Sequence, residues 1–190
     1  MTTQHLDQLV SDLETAFASP SPDGGRIATL LREYAAVHED WREFAFFSDE
    51  RYTRNLVHRT ESFELLILCW GAGQVSPIHN HEAQDCWMGV LEGSIEEVRY
   101  PCPDEVQAGP PPVRGSQAFS RGEVAFIRDD IGLHVVRGAH PDQPGVSLHL
   151  YAAPYDECSC YCPETGKITR KRLTNHSVRG RLLEPNATGS

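Results

Sequence analysis

The triplet His79-Asn80-His81 is the spacing in this chain most suggestive of chemistry. In an extended strand, residues two apart share a face, so both imidazoles can reach one point inside a barrel and ligate a metal ion there. A bare H-x-H is equally the pattern of two surface histidines. It needs a further ligand and a scaffold that brings all of them together. The other ligand-rich stretch, Cys158-Ser-Cys160-Tyr-Cys162, lacks the second ligand pair of a structural zinc site. It reads as a loop after the last barrel strand.

The elements that must position these residues fall into two parts. Leu6, Leu9, Val10, Leu13 and Phe17 recur at helical spacing. The breaker at 19–25, Ser-Pro-Ser-Pro-Asp-Gly-Gly, ends that helix. Ile27, Leu30, Leu31 and Tyr34 form a second apolar stripe, and Trp41, Phe44 and Phe47 continue in a shorter segment. From about Tyr52 the rhythm changes to short strands, expected at 55–58, 63–70, 86–91, 95–99, 123–127, 134–137, 146–151 and 167–173. The stretch 101–115 is expected to be a surface loop, because three successive prolines, Pro110 to Pro112, cannot join a central sheet. The expectation is one mainly β domain over residues 1–190, with a helical cap over about 1–50 and a barrel over about 52–175.

The surroundings of the histidines sharpen this. Gly73 precedes His79 by six positions, Cys86 follows His81 by five, and Gly93 follows Cys86 by seven. That spacing resembles the first motif of the cupin superfamily, with Cys86 where most cupins carry a glutamate ligand. Gly122, a strand and then Gly132-Leu133-His134 resemble the second motif. The implied fold is a cupin-type jelly-roll barrel, and His79, His81 and His134 become three neutral nitrogen donors. Imidazole suits iron, zinc, copper and nickel alike. A third histidine in place of the usual carboxylate leaves a bound dication with its full charge, which favours an anionic donor such as a thiolate. It also leaves positions for a bidentate substrate and dioxygen.

Five further stretches carry a more specific resemblance. They are Tyr52-Thr-Arg54-Asn-Leu-Val57, Ile67-Leu-Cys-Trp70-Gly71, Ile78-His-Asn-His81 with Cys86, Ile131-Gly-Leu-His134, and Ser147-Leu-His149-Leu-Tyr151. In this order they resemble the cysteine dioxygenase family from about Tyr52 to Cys158. The resemblance implies that His79, His81 and His134 ligate iron(II) and that Arg54 binds the substrate carboxylate, helped by Tyr52. It implies that Tyr151 places its hydroxyl near substrate and oxygen, that His149 positions that hydroxyl, and that Cys86 and Tyr151 become joined by a thioether. The implied reaction converts cysteine and dioxygen to cysteine sulfinic acid. Relatives that use 3-mercaptopropionate generally have glutamine at the Arg54 position. A non-catalytic metal-binding cupin would need none of Arg54, His149 or Tyr151. Cys158 aligns with a family cysteine near the pocket mouth. One departure is Ala152-Ala153-Pro154, where animal-type members have Ser-Pro-Pro with a cis bond at the first proline. A cis bond before a non-proline residue costs about 2.5–4 kcal/mol, so a different local backbone is expected.

Composition narrows the partners. A formal charge of −10 argues against nucleic acid and against an anionic membrane surface. The longest apolar run, Leu65 to Trp70, is strand-sized, and residues 1–7 show no basic or apolar leader region. The spacing of the six cysteines does not resemble a disulfide framework, which points to reduced thiols in a cytoplasmic protein. The expected partners are a small thiol amino acid and dioxygen, acting on a monomer.

Overall fold

The computed structural model describes residues 3–106 and 109–184. Residues 107 and 108 of the expected 101–115 loop, and both ends of the expected domain, lie outside the described residues. The mainly β, cupin-like expectation holds. Two helices come first, α1 (Gln4–Phe17) and α2 (Gly24–Val37), then a 3-10 turn at Asp40–Phe44. The strands are β1 (Thr53–Arg59), β2 (Glu64–Trp70), β3 (Ile78–His79), β4 (Asp85–Glu92), β5 (Ser94–Tyr100), β6 (Gly115–Ser120) and β7 (Val124–Ile127). They continue as β8 (Leu133–Gly138), β9 (Gly145–Ala152), β10 (Glu157–Tyr161), β11 (Ile168–Arg172), β12 (Ser177–Val178) and β13 (Arg181–Leu182).

The strands form two sheets, ordered β13-β12-β1-β2-β9-β4-β7 and β11-β10-β3-β8-β5-β6. Between them packs a core that includes Leu66, Leu68, Trp70, Met88, Ile95, Phe119 and Val136, drawn from both sheets. The helices cover the outer face of the first sheet. Leu6, Leu9, Leu13, Ile27 and Leu31 pack against Leu65, Ile67 and Cys69 of β2 and Val146, Leu148 and Leu150 of β9. Both faces of β2 are therefore covered, which accounts for its unbroken apolar run.

This arrangement fixes which side chains of β9 face the barrel. Its residues alternate, with Val146, Leu148 and Leu150 toward the helices and Ser147, His149 and Tyr151 on the other face. A one-residue slip would bury the three polar groups under the helices and lose their partners. The polar alternation is affordable only because the apolar one is satisfied by the cap.

Several sequence expectations need correction. Gly24 and Gly25, placed in the breaker, begin α2, because the Asp23 side chain accepts from the N–H groups of Gly25 at 2.9 Å and Arg26 at 3.3 Å. Residues 115–120 form β6, paired along its length with β5. The cysteine-rich stretch is strand β10, pairing with β3 on one side and β11 on the other. Finally, the Ala152–Ala153 peptide is cis, so the backbone there keeps the conformation that the proline substitution was expected to remove. Ala153 N–H donates to Gln84 Oε1 at 2.6 Å.

Candidate metal centre

The pairing of β3 with β8 and a turn after β3 bring the histidines together. His79 ends β3 and lies directly opposite His134 on β8. His81 lies just beyond β3, which corrects the picture of both residues on one strand. Its position is set by Asp129, whose Oδ1 accepts from His81 N–H at 2.6 Å and whose Oδ2 accepts from Ala83 N–H at 2.8 Å. The backbone at Glu82 and Ala83 has φ of 52° and 62°, a sharp turn that aims His81 back at its neighbours. One ring nitrogen from each of the three histidines lies within 4.8 Å of the other two.

The remaining ring nitrogens decide the tautomers. His79 Nδ1 is 2.9 Å from the Pro77 carbonyl oxygen, and a carbonyl only accepts, so Nδ1 carries the proton. His134 Nδ1 is 2.8 Å from Glu97 Oε1, which assigns its proton the same way. Each ring thus offers an Nε2 lone pair. Glu97 is fixed in turn by Arg99 Nε, 2.8 Å from Oε2. Burial holds all three imidazoles below the ordinary histidine range, in the neutral form that a metal requires.

His81 supplies the test of fit. It is fully buried, and neither of its ring nitrogens has a hydrogen-bond partner. Asp129 Oδ1, at 3.8 Å from Nδ1, is too far to serve. An unsatisfied buried polar group costs about 1–3 kcal/mol. A metal ion shared with His79 and His134 would satisfy one of the two nitrogens, so the donor set fits a metal.

Beside His79 a pocket opens to solvent, with about 440 Å³ of empty space counting its open mouth. Tyr52, Arg54, His79, His149, Tyr151 and Tyr155 all line it. Arg54 is buried on β1, with Nη2 at 3.2 Å from Glu64 Oε1 and with its Nε lacking any partner. Tyr52 stacks on Trp70 with ring centroids 4.6 Å apart.

A family model for cysteine dioxygenase type I matches residues 1–163. The chain is 36% identical to "Cysteine dioxygenase type 1" of Danio rerio over 182 residues, covering 95% of this chain and 90% of that one. It is 34% identical to the Homo sapiens protein of that name, covering 96% and 91%. This chain belongs to the cysteine dioxygenase type I family. Among solved structures, an RmlC-like cupin protein from Desulfovibrio desulfuricans is similar at a TM-score of 0.47 and 27% identity, covering 63% of this chain and 98% of that one.

In this cysteine dioxygenase family member, the inward face of β9 forms a directed chain of hydrogen bonds. Trp70 Nε1–H donates to Ser147 Oγ at 2.8 Å. Indole cannot accept, so the Ser147 hydroxyl is free to donate to His149 Nε2, 2.9 Å away. His149 Nδ1 then carries its proton and donates to the Tyr151 hydroxyl oxygen at 3.1 Å. The Tyr151 hydrogen is not used by this chain of hydrogen bonds, and the Cys86 thiol lies within its hydrogen-bonding reach. Burial lowers the His149 pKa well below its usual value and raises the Tyr151 phenol, so both are neutral. Trp70 therefore both fills the core and anchors this chain.

Ser147→Ala breaks the chain at two places, leaving buried Trp70 Nε1–H and His149 Nε2 without partners. The expected cost is about 1–3 kcal/mol of stability for each unsatisfied group, read from denaturant midpoints at unchanged slope. A midpoint equal to wild type would show that the chain carries no such constraint.

Cys86 on β4 is the direct cross-strand partner of Tyr151 on β9. Directly opposed residues have Cβ atoms about 4.5–5.5 Å apart. Burial pushes the Cys86 thiol well up, so it faces the phenol as a neutral thiol. Glu97, Asp129 and Tyr155 were not singled out from the sequence, and Ser147 was quoted there without a role. Tyr155 stands with its ring 5.2 Å from that of Tyr151 and 6.5 Å from that of His81.

Proposed function

We propose that His79, His81 and His134 hold iron(II) and that the enzyme converts cysteine and dioxygen to cysteine sulfinic acid. As a member of the cysteine dioxygenase type I family, the chain is a thiol dioxygenase. The observation that carries the reading is a buried, neutral three-histidine group beside a cavity into which a charged arginine is built. When bound, iron(II) supplies open positions for thiolate and dioxygen and the electron transfer that places both oxygen atoms on sulfur.

The protein's own residues bind and orient. Arg54, which lines the cavity and whose Nε has no partner, offers its guanidinium to the substrate carboxylate, a planar charge-assisted contact that lysine does not reproduce. Tyr52, beside it on the cavity wall, supports the same carboxylate. Tyr151 donates its hydroxyl hydrogen toward the reacting end of the substrate, and the Ser147–His149 pair keeps it aimed. Val136, Leu68 and Trp70 give the cavity an apolar wall that limits water. All six cysteines are free thiols, which supports a reducing, cytoplasmic setting.

Oxygen uptake by iron-loaded protein separates the substrates. Cysteine is expected to give the fastest uptake, with sulfinate formed in equal amount. 3-Mercaptopropionate is expected to be slower, and cysteamine, lacking a carboxylate, slowest. Faster uptake with 3-mercaptopropionate would reassign the substrate, and no uptake with any thiol would leave a metal-binding cupin.

We also propose that Cys86 and Tyr151 become joined by a thioether during turnover. The bond would lock the Tyr151 ring and remove rotamer freedom from the donor hydroxyl. A growing fraction of chains is expected to lose two hydrogens over successive turnovers, and Cys86→Gly is expected to retain appreciable activity. Peptide mapping that always recovers Cys86 as a free thiol and Tyr151 unmodified would rule the bond out.

A further inference from the structure

A second pair of reactive groups faces the same cavity and takes no part in the reaction above. Cys158 and Cys160 lie two apart on β10, so both side chains project from one face, and their Sγ atoms are 3.9 Å apart. Both line the cavity that Arg54 and His79 also line. At 2% and 7% exposure, they are shielded from bulk solvent. The cavity is the route to them that the structure shows. Lys171, the cross-strand partner of Cys158, lines that entrance too and places an ammonium where an anionic ligand would arrive.

β10 is also bound closely to the metal-ligand segment. Cys160 pairs with His79 across the sheet. Asn80 N–H donates to the Ser159 carbonyl at 3.2 Å, and Ser159 N–H donates to Asn80 Oδ1 at 2.8 Å. The residue between the two cysteines is thus pinned to the residue between the first two histidines. A change in β10 is felt at His79.

We propose that Cys158 and Cys160 are a redox-active dithiol that exchanges with the disulfide of a small amino-acid thiol entering the cavity. The choice of that disulfide rests on the substrate reading above; the dithiol itself does not. One Sγ, as thiolate, attacks a sulfur of the incoming disulfide. A protein–ligand disulfide forms, the ligand S–S bond breaks, and the first ligand thiolate leaves. The second cysteine, after losing its proton, attacks the attached protein sulfur and displaces the second ligand thiolate. The protein pair loses two electrons and two protons, and the ligand disulfide gains them as two thiols. Two residues along a strand span about 6.6 Å between Cα atoms, inside the usual disulfide range of about 4.4–6.8 Å. The sulfurs must close from 3.9 Å to about 2.05 Å. That closure pulls on the strand paired with His79, so the oxidised form turns over more slowly until a thiol reduces it. The enzyme then responds to the balance between the thiol and disulfide forms of its own substrate.

The test uses full-length, iron-loaded protein kept anaerobic, so that no dioxygen chemistry occurs, incubated with cystine and then quenched and alkylated. Mass mapping is expected to find an internal Cys158–Cys160 bond, with two thiols released per chain, before the more exposed Cys102 and Cys162 have reacted. Cys158→Ser and Cys160→Ser are each expected to stop at a mixed disulfide or stay unmodified, never forming the internal bond. Oxidised wild-type protein is expected to regain its oxygen uptake on reduction. Recovery of both cysteines as free thiols after Cys102 and Cys162 have been modified overturns the proposal. So does a wild-type protein that accumulates only mixed disulfides. A protein inactive toward cysteine would still give the mapping result, so the two readings fail separately.

Discussion

Replacing His81 with alanine is expected to remove most of the bound iron and with it nearly all activity, while the fold survives. His81 has no partner in the protein for either ring nitrogen, so its truncation breaks no hydrogen bond of the ring. Its backbone N–H bond to Asp129 remains available to alanine. The effect therefore isolates ligation. His79→Ala and His134→Ala remove a ligand as well, but they also break a hydrogen bond to Pro77 O or to Glu97. His134→Ala should cost extra stability for that reason, because Glu97 is buried and loses one of its two partners. Replacing Glu97 with glutamine keeps the ligand and changes only what holds it, and such supporting partners typically matter about 10–100-fold in metal affinity or activity. The ligand variants should fall well below that. Metal analysis beside circular dichroism checks the series. Full iron occupancy in all three alanine variants would dismiss the triad.

Arg54→Ala is expected to weaken cysteine binding by about 2–5 kcal/mol, roughly 30- to 4000-fold in Kd. Part of that cost belongs to the protein, since Glu64 is buried and would be left with Arg59 alone at 3.3 Å. Arg54→Gln limits this, because an amide can still donate to Glu64. The discriminating quantity is then the ratio between substrates. The cysteine-to-cysteamine preference should collapse in Arg54→Gln, since cysteamine has no carboxylate to lose contact with, and 3-mercaptopropionate should suffer less than cysteine. Equal losses for all three thiols would show that Arg54 supports the fold without reading the substrate.

The three histidines that the structure gathers were legible in the sequence because each sits in a short local pattern. His79 and His81 are two residues apart, and His134 follows a glycine-marked strand start. The groups that hold those histidines were not legible. Glu97 reaches His134 because β5 pairs with β8, placing Arg99 opposite His134 and Glu97 two residues further along. Asp129 reaches His81 across 48 residues of chain. No short-range pattern encodes either contact. The inward face of β9 was half legible. Ser147, His149 and Tyr151 alternate visibly, yet the direction of their hydrogen bonds depends on Trp70, which arrives from β2.

The strands missed were those whose stability comes from neighbours. β10 has only five residues, lies between Pro154 and Pro163, and pairs on one side with a two-residue strand. Its cysteines were read as loop residues, although Cys158 and Cys160 are buried and Ser159 between them is less so, the period of a strand. β6 follows a proline-rich loop and exposes nearly every side chain, so only its pairing with β5 identifies it. The turn after His79 was missed because Asp129 captures the amides that would otherwise have continued the strand.

Isotopically labelled dioxygen tests the central claim most directly. Protein loaded anaerobically with iron(II) is mixed with cysteine and ¹⁸O₂ in ordinary water, and the product is weighed by mass spectrometry. The account predicts cysteine sulfinic acid carrying two labelled oxygen atoms, absent from the metal-free protein and from His81→Ala. A product with one label or none, or equal product from the metal-free protein, would contradict it.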